Sequence, residues 1–231
     1  MTLPILNTPT HELKIPSTGE EIIFRPFLVK EEKLLLMAQE SNDQAEMLRA
    51  LKSIVKTCTF NKIDPDEITA YDLEYIFLQL RSKSVGEIVQ LELKCKHCKA
   101  VNPVEVNLED IDITYPAKKL EPTIHLQDNI GIVVRHIPVK DLTSLSDQKD
   151  ITAAIALCID SVFTDSKIYK RSELSPQELN EFIESFSREH VAKIEEYISN
   201  QPKIEHTIRY TCHNCKKENE VTLRGLQDFF G

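Results

Sequence analysis

The chain has 231 residues, 41% of them hydrophobic, and a formal net charge of -9. That length buries one large core or two intimate ones, while the acidic balance disfavours non-specific binding to DNA or anionic lipid. No stretch approaches the roughly 20 apolar residues of a membrane helix, and no apolar signal-like run precedes Lys14, so a soluble globular protein is expected.

The first elements alternate at period two. His11 to Ile15 and Glu20 to Arg25 flank a Ser17-Thr18-Gly19 turn and read as a hairpin. Phe24-Arg25-Pro26-Phe27-Leu28-Val29-Lys30 then leads into a helix. Gln44, Leu48, Leu51, Val55 and Cys58 follow at helical spacing. Asp64-Pro65-Asp66-Glu67 reads as a turn ahead of the next helix rather than a cation site. In that helix Asp72 is the expected cap, and Leu73, Ile76, Phe77 and Leu80 form the apolar face. Two strand-like runs, Val89-Leu91-Leu93 and Val104-Val106-Leu108, then bracket Cys95-Lys96-His97-Cys98.

After a segment with Pro116 and Pro122 the order begins again. Thr123 to Leu126 and Ile130 to Arg135 flank Asp128-Asn129, and Val134-Arg135-His136-Ile137-Pro138-Val139-Lys140 matches the earlier lead in its Arg, Val and Lys. Ile151, Ala154, Cys158 and Val162 read as the matching helix, which makes Cys58 and Cys158 equivalent small buried hydrophobes. Ser175-Pro176-Gln177-Glu178 is a capping box with proline at the first helical position, followed by Leu179, Phe182, Ile183 and Phe186. A further helix carries Val191, Ile194, Tyr197 and Ile198 and ends before Pro202. Ile208-Tyr210 and Val221-Leu223 then bracket Cys212-His213-Asn214-Cys215. The expected fold is α+β and internally duplicated: hairpin, helices and cysteine knuckle in 1–109, a linker over 110–122, and the same order in 123–231. At the end, Phe229 and Phe230 are expected to pack on the second knuckle or dock on a partner.

The two knuckles share a frame. After each second cysteine come an asparagine and alternating aliphatics: Asn102, Val104, Val106 in one, Asn219, Val221, Leu223 in the other. A C-x-x-C turn aims two thiolates at one metal, and two such turns complete the sulfur set zinc prefers. Cys95, Cys98, Cys212 and Cys215 are therefore the expected ligands of one structural zinc, although an ordinary ribbon places its second pair only about 15 to 20 residues on. Other readings stay open. A redox dithiol usually opens a helix, disulfides suit secreted chains, and metal binding can be lost. Four protein ligands leave no open position for water, which disfavours catalytic zinc.

Around the cysteines Lys94, Lys96, His97, Lys99, Arg209, His213, Lys216 and Lys217 form a basic island. It reads as compensation for a cage of four thiolates, with a nucleic-acid-binding zinc ribbon as the alternative; Tyr210 is the one aromatic nearby. With five glycines the chain carries no phosphate-binding loop, no dinucleotide turn and no nucleophile elbow, and His11, His97, His125, His136, His190, His206 and His213 are scattered. No enzymatic activity is expected, and no small-molecule substrate.

The run Phe24-Arg25-Pro26-Phe27-Leu28-Val29-Lys30-Glu31-Glu32-Lys33-Leu34-Leu35, with Ala38-Gln39-Glu40-Ser41, resembles the start of the baseplate protein family of T-even-type contractile-tailed phages. Tyr71-Asp72-Leu73-Glu74-Tyr75-Ile76-Phe77-Leu78-Gln79-Leu80-Arg81-Ser82-Lys83-Ser84-Val85-Gly86-Glu87, followed by Cys95 and Cys98, resembles its central block. The resemblance implies a baseplate hub assembly or structural protein that works through contacts with other hub proteins. It also implies assembly in the host cytoplasm, either as a transient chaperone-like factor or as a component of the finished tail. The block from Leu73 to Gly86, with Arg81, Lys83 and Ser84, is the candidate partner surface, its other reading being core with solvated charges.

Overall fold

The hairpin expected at the start forms as β1 (His11–Lys14) and β2 (Glu21–Phe24), paired antiparallel with His11 opposite Phe24. The coordinates come from a computed structural model that describes residues 6–41, 43–141 and 151–230, apart from the side chains of residues 227, 229 and 230. The expected packing of the Phe229 and Phe230 rings therefore lies outside the described side chains. Alternation turns Ile22 and Phe24 inward and leaves Glu21 and Ile23 outside.

Three helices follow: α1 (Val29–Ser41), α2 (Gln44–Cys58) and α3 (Ala70–Val85). Asp43 caps α2 by accepting the Ala45 N–H, and Ala50, Ile54, Val55 and Cys58 are buried along one face. In α3 the buried set includes Leu73, Ile76, Phe77 and Leu80, as the periodicity predicts. Asp72 is not its cap. Thr69 accepts the Asp72 N–H, which frees the fully buried Asp72 carboxylate to hold Ser17 N–H, 3.0 Å away, at the tip of the first hairpin.

Between hairpin and helices lies a buried ion pair. Arg25 Nη2 is 2.9 Å from Glu31 Oε1, and the Arg25 backbone N–H donates to the Cys58 carbonyl. Burial alone would raise the Glu31 carboxyl, but the Arg25 hydrogen bond and the Leu28 N–H outweigh it and hold it below the usual range. Leaving either partner alone would strand a desolvated charge, so this pair fixes how the strand enters α1.

The first knuckle hairpin is β3 (Ile88–Lys94) and β4 (Val101–Asn107), with Leu91 opposite Val104. A 3-10 turn at Leu108–Asp110 leads to the two-residue β5 (Ile113–Thr114). The second knuckle hairpin is β10 (Lys203–Thr211) and β11 (Glu218–Arg224), with Ile208 opposite Val221. β5 adds to it, Ile113 facing Ile204, in the sheet order β11-β10-β5. The final helix of this group, α7 (Gly225–Phe230), starts at a glycine with φ +63 and packs against α3.

The remaining elements make a four-stranded antiparallel sheet, β6 (Thr123–Gln127), β7 (Ile130–Val134), β8 (Ile159–Thr164) and β9 (Ile168–Lys170), in sequence order. With it go α4 (Ile151–Cys158), α5 (Pro176–Glu184) and α6 (Arg188–Ser199). The helix expected to run through Val162 stops at Cys158; β-branched Ile159 and Val162 continue as a strand paired with β7. Ser175 and Glu178 make the expected capping box, and Ser187 with His190 makes a second one. Ile132, Ile155, Ile159, Leu179, Ile183 and Ile194 sit in one apolar cluster between sheet and helices. Gly131 is needed where it stands, because a Cβ there would meet Phe163 Cζ at 2.2 Å.

By packing, the chain divides into two units, residues 1–114 with 203–231, and residues 115–202. These differ from the repeats read from sequence, since 203–231 closes the second repeat yet packs with the first unit. The stretch 110–122, expected as a linker, straddles the boundary; Ile111 and Ile113 are buried on its near side. The α+β class holds in both units. Among the described residues no helix is long and apolar enough to cross a membrane.

Candidate metal centre

Each knuckle is built by the same local rule. After the second cysteine one lysine adopts a left-handed backbone, Lys99 at φ 64 and Lys216 at φ 59, which folds the turn back on its own start. Lys99 N–H donates to Cys95 O and Lys216 N–H to Cys212 O, both at 3.0 Å; Cys95 N–H donates to Ala100 O and Cys212 N–H to Lys217 O, both at 2.9 Å. A lysine there stands against the steric preference of L-residues, at about 1 kcal/mol each, so these hydrogen bonds and the packing around them hold the turn shape.

The two turns face each other. Cys95 Sγ lies 3.7 Å from Cys215 Sγ, and Cys98 Sγ lies 3.6 Å from Cys212 Sγ. All four sulfurs fall within 4.8 Å of one another, with Cys95 and Cys212 fully buried and Cys98 and Cys215 partly so. Zinc–sulfur bonds of about 2.3 Å in a tetrahedron separate sulfurs by about 3.8 Å, whereas a disulfide needs about 2.05 Å. The cage therefore fits a tetrahedral thiophilic cation, and all four thiols are free. It is also the one such cluster of metal-ligating side chains among the described residues.

The electrostatics point the same way. Burial opposes ionisation of Cys95, but N–H groups of Cys98 and His97 and the Asn219 amide outweigh it and bring the thiol down to about 5. The Cys215 N–H leads in lowering Cys212. At Cys215 the Lys217 N–H favours the thiolate, yet burial and the three neighbouring sulfurs push it up to about 11. Cys95 and Cys212 ionise readily, and Cys215 resists without a cation.

The other sequence candidates are placed differently. Leu73, Ile76, Phe77 and Leu80 are core. Ser84 accepts the Phe27 N–H, and Lys83 pairs with Glu87 and Glu109, so the candidate block serves its own unit. Cys58 and Cys158 are fully buried, and burial pushes their thiols up to about 11 and about 12. Asp66 pairs with Lys52 at 2.7 Å in the expected turn. In the basic island Lys96, Lys99, Lys216 and Lys217 are exposed, while Arg209 pairs with Glu220 at 2.7 Å. The Tyr210 hydroxyl is buried without a hydrogen-bond partner, and the residue as a whole is half-buried. What the sequence left unread is the work of Asn102 and Asn219. Both are buried, at 3% and 4% exposure, and their place in the shared frame was the available signal.

Two hairpin knuckles that meet at one four-sulfur cage, on a mixed scaffold of helices and small sheets, define a cysteine-clasped α+β protein. The family model described as "T4 bacteriophage base plate protein" matches residues 8–231, and the chain belongs to that family. It is 24% identical over 214 residues, 92% of this chain and 94% of the relative, to the baseplate hub assembly protein gp26 of Enterobacteria phage T4. No solved structure matches.

Proposed function

We propose that this protein is a baseplate hub assembly or structural factor that acts by protein–protein contacts, without catalysis, during building of a contractile phage tail. The observation that carries this is the family match over residues 8–231, joined by the near full-length likeness to a hub assembly protein. The partners are other hub proteins, and the place of action is the host cytoplasm and the tail baseplate. Mass spectrometry of tail-assembly intermediates and mature particles tests the proposal. The chain should appear in hub or baseplate intermediates; its absence from all of them, with normal tails formed when it is deleted, would overturn the proposal.

The four-cysteine cage binds one structural zinc per chain. Sulfur separations of 3.6 and 3.7 Å and the all-thiol donor set support this. A fully folded, reduced protein purified without metal by elemental analysis would sink it. The chain arose by internal duplication, with repeats at 1–109 and 123–231. In support, matched positions make matched contacts: Arg25 N–H to Cys58 O and Arg135 N–H to Cys158 O, Arg25 with Glu31 and Arg135 with Asp141. The exposed Lys96, Lys99, Lys216 and Lys217 favour one second reading, a nucleic-acid-binding ribbon. Binding to DNA or RNA that weakens steeply with salt and with charge reversal at these lysines would establish it.

A further inference from the structure

The two buried asparagines cross from one knuckle to the other. Asn102 belongs to the first knuckle hairpin, yet its Oδ1 accepts the backbone N–H of His213, the residue after Cys212, at 2.9 Å. Asn219 belongs to the second, and its Oδ1 accepts the backbone N–H of Lys96, the residue after Cys95, also at 2.9 Å. Each amide group faces home: Asn102 Nδ2 donates to Ala100 O at 2.9 Å and Asn219 Nδ2 to Lys217 O at 3.1 Å. The orientation is fixed by chemistry, since exchanging O and N would set an NH2 against an N–H and an oxygen against a carbonyl. No other side chain answers both requirements at this length: aspartate has no donor, and glutamine is longer by a methylene.

We propose that Asn102 and Asn219 are the positioning residues of the cage, a reciprocal pair of staples that docks the knuckles on each other and presets the four sulfurs before any metal arrives. The staples tie the backbone immediately beside Cys95 and Cys212, the two fully buried ligands. They carry no charge and no metal bond, so they hold in the metal-free protein. Outer-shell partners of this kind set ligand orientation and hence metal affinity. The metal arm of the test rests on the zinc reading; the docking arm does not.

The full chain, stripped by chelator under reductant, is followed by hydrogen exchange at the Lys96 and His213 amides and then titrated with cobalt(II) against a competing chelator. In the metal-free wild type both amides should be protected. Asn102→Ala should release His213 first and Asn219→Ala should release Lys96 first. Each should weaken cobalt binding about 10- to 100-fold. Asn102→Asp, which keeps the acceptor, should restore His213 protection relative to the alanine variant. Unprotected Lys96 and His213 amides in the metal-free wild type would overturn the proposal even if the alanine variants fail to fold. Unchanged cobalt affinity and exchange in both alanine variants would overturn it too. A wild type that takes up no cobalt would remove the zinc reading alone, leaving the exchange result to decide the staples.

Discussion

The two packing units both bury an apolar core, but they differ in how the chain supplies their pieces. Residues 115–202 are one continuous stretch whose sheet and helices close over an apolar cluster around Ile155, Ile159 and Ile194. The other unit is assembled from two distant stretches, and the places where they meet are a two-residue strand pairing, helix contacts and the facing knuckles. Apolar packing spreads stability over many small contacts, whereas a sulfur cage concentrates it in four atoms and one ion. A region built from local sequence therefore tolerates change that a region built from remote pieces does not.

The largest expected break is at the cage. Cys212→Ser, or chelation of the proposed zinc, should melt residues 1–114 and 203–231 first, since structural zinc in small peptides supplies on the order of 10 kcal/mol. Hydrogen exchange by segment should find residues 115–202 still protected, and a uniform loss across both units would refute the contrast. Ile155→Ala should do the reverse. It should cost about 2–5 kcal/mol, measured by denaturant unfolding, and leave metal content unchanged.

Glu74 in α3 sharpens the comparison through pH. Burial raises its carboxyl to about 7, and a Cβ on Gly225, at the start of α7, would lie 3.4 Å from its Oε1. The folded state thus holds a proton that the unfolded state releases near its ordinary value of 4.5. That contribution is complete below about pH 4.5, falls as pH rises toward 7, and reaches at most about 3 kcal/mol. Glu74→Gln should flatten this slope and raise stability at pH 8; an unchanged stability–pH curve would show that Glu74 ionises normally. The smallest expected effect is at the turns. Lys99→Gly and Lys216→Gly should each stabilise by about 0.5–1 kcal/mol, because glycine accepts the left-handed backbone without strain. A loss of thermal stability in both would mean the lysine side chains matter more than the backbone.

Where structure is written in a short period, the sequence was legible. Alternating aliphatics in Val89 to Leu93 and Val104 to Val106 give the first knuckle, and Ser175-Pro176 gives the start of α5. The spacing of Cys95, Cys98, Cys212 and Cys215 named the cage, though not that residues 203–231 pack with 1–114 rather than with 115–202. Ile151 to Val162 misled because the apolar run Ala153 to Ile159 suits a helix and a buried strand equally, and here the stretch is a helix to Cys158 and a strand from Ile159. Strand β5 and the contacts of the asparagine staples depend on partners remote in sequence and close only in the fold, so no local pattern encodes those contacts, while the Arg25–Glu31 pair depends on the burial of both side chains.

The pairing of β5 with β10 sets a schedule for the newborn chain. Thr114 and Lys203 stand opposite each other, so the polypeptide leaves the first unit and re-enters it at one place. At a ribosomal rate of about 5–20 residues per second, Cys98 waits roughly 5–25 s before Cys212 is made. During that interval β3, β4 and two bare thiols have no docking partner, while residues 115–202 are made as one continuous stretch. The loop that must then close is long, which slows the last step of folding. A nascent chain released early would present an open knuckle to whatever thiol or metal lies nearby.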